Sequence, residues 1–206
     1  MEISKTTTIL IRHAESVPSR DLPESDWPLS KLGFEQATAL ADELPSTPID
    51  RVYSSPYLRA LDTVKPLAQN FGRPVEVRTD LRERKLCDGM RDDWMDLLER
   101  SWRDFAFSLP GCESGFECQQ RVRRCLEDIA RENEGLTVAV SSHGNAIGLF
   151  LNSVDSDFRY EQWRSMRNPD IFAIEWVRGI PRILALERNS NSNQARFKTG
   201  ISGCSG

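Results

Sequence analysis

Two histidines occur in the 206 residues, His13 and His143. Each follows a run of aliphatic and β-branched residues, TTTILIRH and LTVAVSSH, and so is expected at the end of a buried strand. Arg12 stands directly before the first. Arg59 comes just after another short strand-like segment, in VYSSPYLRA, and Glu83 comes after a third, in RTDLRER. Ligands of parallel α/β sheets bind beyond the carboxyl ends of the strands, so these side chains are expected on one sheet edge. Taken singly, a histidine at a strand end is more commonly just hydrogen-bonded, and an arginine just solvated. Together they suit phosphoryl transfer. Guanidinium forks and imidazolium donors meet the charge on the equatorial oxygens, and a neutral imidazole attacks phosphorus. A carboxyl group protonates the departing oxygen and later deprotonates water. No further histidine or ligand cluster is available to hold a metal, so none is expected. No cofactor is expected either.

The elements that must carry these residues follow from periodicity. Thr6 to Ile11 reads as a strand covered on both faces. After a loop with Pro18, Pro23 and Pro28, SKLGFEQATALADELP sets Leu32, Ala37, Leu40, Ala41 and Leu44 at helical spacing behind Ser30 as cap. IDRVYSSP is a short strand. Pro56 suits the first turn of the next helix, whose stripe is Ala60, Leu61, Val64, Leu67, Ala68 and Phe71, with Pro66 as a possible bend. RPVEVRTD is a third strand, followed by helical segments around 92–107 and 114–134. LTVAVSS is a strand that passes at His143 into the helix GNAIGLFLNSV, and IFAIEWV and RILALER finish the sheet. Strands alternating with helices predict an α/β domain with helices on both faces. The polar stretch from residue 189 to 206 is expected to be a mobile tail.

Composition bounds the function. The length fits one domain. No apolar run approaches the ~20 residues that cross a bilayer, and MEISKTTT is not a secretory segment, which points to the cytoplasm and to no membrane partner. Five cysteines without a C-x-x-C pair fit reduced thiols. A net charge of −4 argues against a nucleic-acid surface, while a small anionic substrate remains compatible with it.

The segments LIRHAES, PLSKLGFEQA, VYSSPYLRALDT, LRER, PGCESGFECQQRV and VAVSSHGNAI resemble, in that order, the motifs of the histidine phosphatase superfamily, in the branch that includes the cofactor-dependent phosphoglycerate mutases. The resemblance spans about residues 6 to 177. It implies a three-layer α/β/α sandwich with a mostly parallel central sheet, phosphoglycerate mutase-like, over residues 1–188, with a helical insertion at about 92–110. It also implies that His13 is the phosphorylated nucleophile, that Arg12, Arg59, His143 and Gly144 bind the phosphate, and that Glu83 is the proton donor. Without it, His13 does not rank above His143. Ala14 replaces the family's usual glycine, and Ser19 stands where an asparagine often binds phosphate. KLCDGMRDDW departs from a glycine- and tryptophan-rich stretch in many relatives, a difference bearing on substrate choice. Arg82, Arg84, Lys85 and Arg91 are expected near the mouth, as a solvated basic loop or as partners for a second anionic group.

The resemblance implies a phosphomonoester hydrolase acting on a small phosphorylated metabolite. A mutase is the alternative, disfavoured by the short path from the first motif to PLSKLG. A phosphate-binding regulatory module is a third possibility, opposed by the full set of core residues. Cys118 and Arg124 match the bare C-x5-R spacing of cysteine phosphatases, but QQRVR reads as helix interior.

Overall fold

The computed structural model describes residues 4–44, 48–184, 186–188 and 195–197. Its main sheet has six strands: β1 (Lys5–Arg12), β2 (Arg51–Ser54), β3 (Val75–Val77), β4 (Thr137–Ser142), β5 (Asp170–Val177) and β6 (Ile180–Leu184). Their order is β3-β2-β4-β1-β5-β6. The first four are parallel, whereas β5 runs antiparallel to β1, and β6 antiparallel to β5.

Alternate residues of the central strands feed separate cores, which is why these segments read as unbroken apolar runs. Ile9, Ile11, Val52 and Ala139 meet Leu40, Ala41 and Leu44 of α1 (Lys31–Glu43) and Val64, Leu67 and Ala68 of α2 (Leu58–Asn70). On the opposite face Leu10, Val138 and Val140 meet α3 (Trp94–Arg103), α4 (Gly115–Glu132) and α5 (Gly144–Val154) through Leu98, Val122, Leu126, Ile147 and Phe150. The chain is thus a three-layer α/β/α sandwich. A short α6 (Tyr160–Arg164) leads into β5. No helix among the described residues is long and apolar enough to cross a membrane.

Local chemistry sets the helix starts. Ser30 accepts from the Gly33 N–H at 2.9 Å, as the N-cap of α1. Ser114 and Glu117 close a capping box on α4. Helix α2 begins at Leu58, so Pro56 lies before the helix rather than in its first turn, and Pro66 is accommodated inside it. The loop from Ala14 to Ser30 is drawn shut by the Ser16–Leu29 bridge and by Ser30 N–H donating to the Glu15 carbonyl at 3.0 Å.

The expected strand RILALER is divided. Its first part lies in β6, and Leu186–Arg188 forms β7, which pairs antiparallel with β8 (Ala195–Phe197) in a separate two-stranded sheet. No turn residue interrupts that run, so nothing local marks the change of partner. Of the expected tail, only Ala195–Phe197 is described, as β8; residues 189–194 and 198–206 lie outside the described residues.

Candidate active site

Parallel pairing of β1 with β4 in the register Arg12↔Ser142 brings the next residues, His13 and His143, together. The His13 N–H donates to the Ser142 carbonyl at 3.0 Å. The two rings stand edge to face, with centroids 5.2 Å apart. On the other side of β4, Ser55 N–H donates to Ser141 O at 2.9 Å, carrying the turn that leads to Arg59 into the same place.

His13 is buried, and its Nδ1 lies 2.7 Å from the Ala14 carbonyl. A carbonyl only accepts, so Nδ1 carries the proton and Nε2 presents its lone pair. Arg59 Nε donates to that Nε2 at 3.1 Å. Burial first, then the charges of Arg59 and Arg12, lowers the imidazole pKa from 6.5 to about 3, against the bond to Ala14. The ring is therefore neutral at neutral pH. Its surroundings are braced: Asn168 Nδ2 donates to His13 O at 2.8 Å, Ala14 N–H donates to Thr63 Oγ1 at 2.9 Å, and that hydroxyl donates to Arg59 O at 2.6 Å.

His143 is fully buried at the N-cap of α5, with Ser55 Oγ 2.7 Å from Nε2 and the Tyr57 ring centroid 4.9 Å away. Burial, followed by Arg59 and His13, holds its pKa well below the usual value. The imidazolium donor expected from sequence is thus a neutral imidazole here, because full burial and the neighbouring positive charges both disfavour its protonation. Its Nδ1 has no hydrogen-bond partner, and neither has the buried Nε of Arg12, whose Nη1 donates to Met166 O at 2.9 Å. Unpartnered buried nitrogens are costly, and an anion accepting from both would relieve them. Gly144 makes the close approach possible: a Cβ there would lie 3.3 Å from both Arg12 Nε and Trp163 Nε1.

Glu83 faces the same cluster from the loop after β3. Its Oε1 accepts from Arg84 N–H at 2.8 Å and Ala146 N–H at 3.0 Å, and its Oε2 from Asn145 N–H at 3.2 Å. The carboxylate therefore caps the N-terminus of α5.

Not every expected residue joins this cluster. The Ser19 hydroxyl accepts from Asp21 N–H at 3.1 Å, within its own turn. Arg84 is no mouth residue: it is 1% exposed and donates to Glu113 O, Ser101 Oγ and Phe107 O at 3.0–3.1 Å, fixing the Glu83 loop to the helical layer. Arg82, Lys85 and Arg91 pair with Asp80, Asp88 and Asp93. Cys118 and Arg124 lie along α4, where burial pushes the Cys118 thiol pKa up. Among the described residues no group of three or more His, Cys, Asp or Glu is placed to hold a metal.

Sequence reasoning missed Glu24, Ser55, Thr63 and Asn168. All touch the cluster, as the bonds above and those of Glu24 to Arg59 show. Ser55 and Thr63 sit within motifs already quoted. Glu24 lies in an aperiodic, proline-rich loop with no signal to mark it.

The model of the histidine phosphatase superfamily (branch 1) matches residues 8–189. A probable phosphoglycerate mutase of Proteus mirabilis is 28% identical over 181 residues, 81% of this chain and 83% of that protein. A putative phosphoserine phosphatase of Hydrogenobacter thermophilus is 30% identical over 149 residues, 67% of this chain and 73% of its own length. Among solved structures, the phosphoglycerate mutase of Bacillus anthracis superposes with a TM-score of 0.71 at 20% identity, covering 88% of this chain and 92% of its own.

Proposed function

Because this chain belongs to the histidine phosphatase superfamily, branch 1, we propose that it hydrolyses the phosphomonoester of a small phosphorylated metabolite through a phosphohistidine on His13. The observation that carries this is the tautomer of His13. Its proton is committed to the Ala14 carbonyl, leaving the Nε2 lone pair facing Arg59 beside His143.

In the first step Nε2 attacks phosphorus and the ester P–O bond breaks, its electron pair leaving on the alcohol oxygen. Glu83 supplies the proton that this oxygen needs. Oε2, with a single N–H at 3.2 Å, keeps the capacity to carry it. Arg12, Arg59, the neutral N–H of His143 and the backbone at Gly144 hold the phosphoryl oxygens. In the second step water attacks phosphorus, Glu83 takes its proton, and the P–N pair returns to Nε2. No step needs a metal or cofactor. The free thiols of Cys87, Cys112, Cys118 and Cys125 support a reducing compartment, the cytoplasm.

Rapid quench with ³²P-labelled substrate tests the reading. An acid-labile, alkali-stable phosphoenzyme is expected in the wild type and absent from His13→Ala, which should keep its fold. Label on Cys118, or a product burst with no labelled residue, rejects it.

A further inference from the structure

Arg59 is already engaged before any phosphate arrives. It is 3% exposed and lies between Trp27 and Tyr57, its guanidinium carbon 5.4 and 5.0 Å from their ring centroids. Nε donates to His13 Nε2 at 3.1 Å, Nη1 to the Glu24 carbonyl at 2.6 Å and Nη2 to Glu24 Oε1 at 2.7 Å. Both bidentate edges of the guanidinium, Nε with Nη2 and Nη1 with Nη2, are therefore occupied at least in part. A phosphoryl group docking on His13 Nε2 must displace the Nε bond, and the neighbouring fork position is held by a carboxylate oxygen. Two anions would then share one guanidinium.

Glu24 has somewhere to go. Its side chain is 38% exposed, at the rim, on a single 3-10 turn (Glu24–Asp26) with no side-chain cap. Arg59 by contrast is fixed. Resting on the reading of this cluster as a phosphoryl pocket, we propose that Glu24 determines which anions the site accepts: it occupies Arg59 in the empty enzyme, and a tetrahedral dianion enters with uptake of one proton by Glu24. Once protonated, the carboxyl no longer repels the anion and can donate a hydrogen bond to it.

The groups facing Glu24 are Arg59 and Tyr57 at the start of α2, and Glu83 and Cys87 from the loop after β3. Burial raises the Glu24 pKa above the usual carboxylate range. Glu83 adds to this, and Arg59 opposes it. An arriving anion cancels the influence of Arg59, the one charge that favours the carboxylate, so the pKa rises further in the complex. Linkage fixes the sign. Affinity is full below the free-enzyme pKa of Glu24 and falls by about tenfold per pH unit above it, until the pKa of the complex is reached.

Sulfate is the suitable probe, since its charge is constant from about pH 4.5 to 8. Calorimetric titration should show affinity in the wild type falling as pH rises, with one proton taken up per sulfate when two buffers of different ionisation heat are compared. Glu24→Gln keeps the size and the acceptor, so it should bind sulfate at least about tenfold more tightly at pH 8 and lose most of the pH dependence. Equal affinities and equal pH profiles in the two proteins overturn the role of Glu24 while leaving the pocket intact. Binding by neither protein at any pH overturns the pocket reading and the role of Glu24 together.

Discussion

Neighbours make two imidazoles, 5.2 Å apart, chemically different. His13 gives its Nδ1 proton to a backbone carbonyl, which leaves a nucleophilic lone pair. His143 spends Nε2 on a hydroxyl and keeps Nδ1 without a partner. The same burial has a pH signature. Both pKa values are lowered, that of His13 to about 3, so between that value and 6.5 the unfolded chain binds protons that the native one refuses. Stability contributed by neutral His13 is full above pH 6.5 and is lost as pH falls toward 3, by up to about 1.4 kcal/mol per pH unit. Urea titrations at pH 7 and 5 should therefore show a smaller acid loss in His13→Gln than in the wild type; an identical loss means that His13 does not titrate as described. For Glu83 the informative variable is the leaving group. Glu83→Gln should slow phosphorylation of His13 by an alkyl phosphate ~10²–10⁴-fold. With p-nitrophenyl phosphate, whose leaving anion needs no proton, the slowing should be far smaller. Single-turnover measurement separates this step from the later activation of water, and equal slowing for both substrates would make Glu83 a positioning group.

At the scale of elements, the loop between β1 and α1 is held by contact rather than by regular structure. A Cβ on Gly33 would sit 2.0 Å from the Glu15 carbonyl oxygen, so the first turn of α1 can lie against the strand exit only with glycine there. Gly33→Ala should cost ~1–3 kcal/mol in urea unfolding through overpacking. An unchanged unfolding midpoint would show that the loop yields freely. The sequence made the strands and helices legible wherever periodicity was strong, and even the junction of β4 with α5 is where LTVAVSSHGNAIG places it. The partition of RILALER between two sheets was not legible, since strand pairing is a tertiary choice. The gathering of His13, His143, Arg12, Arg59 and Glu83 in one place could be read from position and motif. Arg84 was misjudged because a charged residue in a charged run reads as solvated; its bonds to Glu113, Ser101 and Phe107 come from distant segments. Glu24 was invisible for the same reason, its partner lying 35 residues away.

For the molecule as a whole, relatives carry both mutase and phosphatase names, and under the proposed mechanism the two chemistries differ only in what accepts the phosphoryl group. With 3-phosphoglycerate as substrate, released phosphate should exceed isomerised product; dominant formation of 2-phosphoglycerate would make the chain a mutase. The cap on α5 has another consequence, concerning what evolution can and cannot erase. Active-site groups commonly sit where the fold would be more stable without them. Glu83, in the role proposed for it, would be an exception, because its carboxylate satisfies the open backbone N–H groups of Asn145 and Ala146. Purifying selection for stability alone would retain it, even in a duplicated copy relieved of turnover. Arg12 and His143 are the opposite case, with buried nitrogens that cost the empty fold stability. In a lineage selected for stability alone, those two would be lost before the carboxylate.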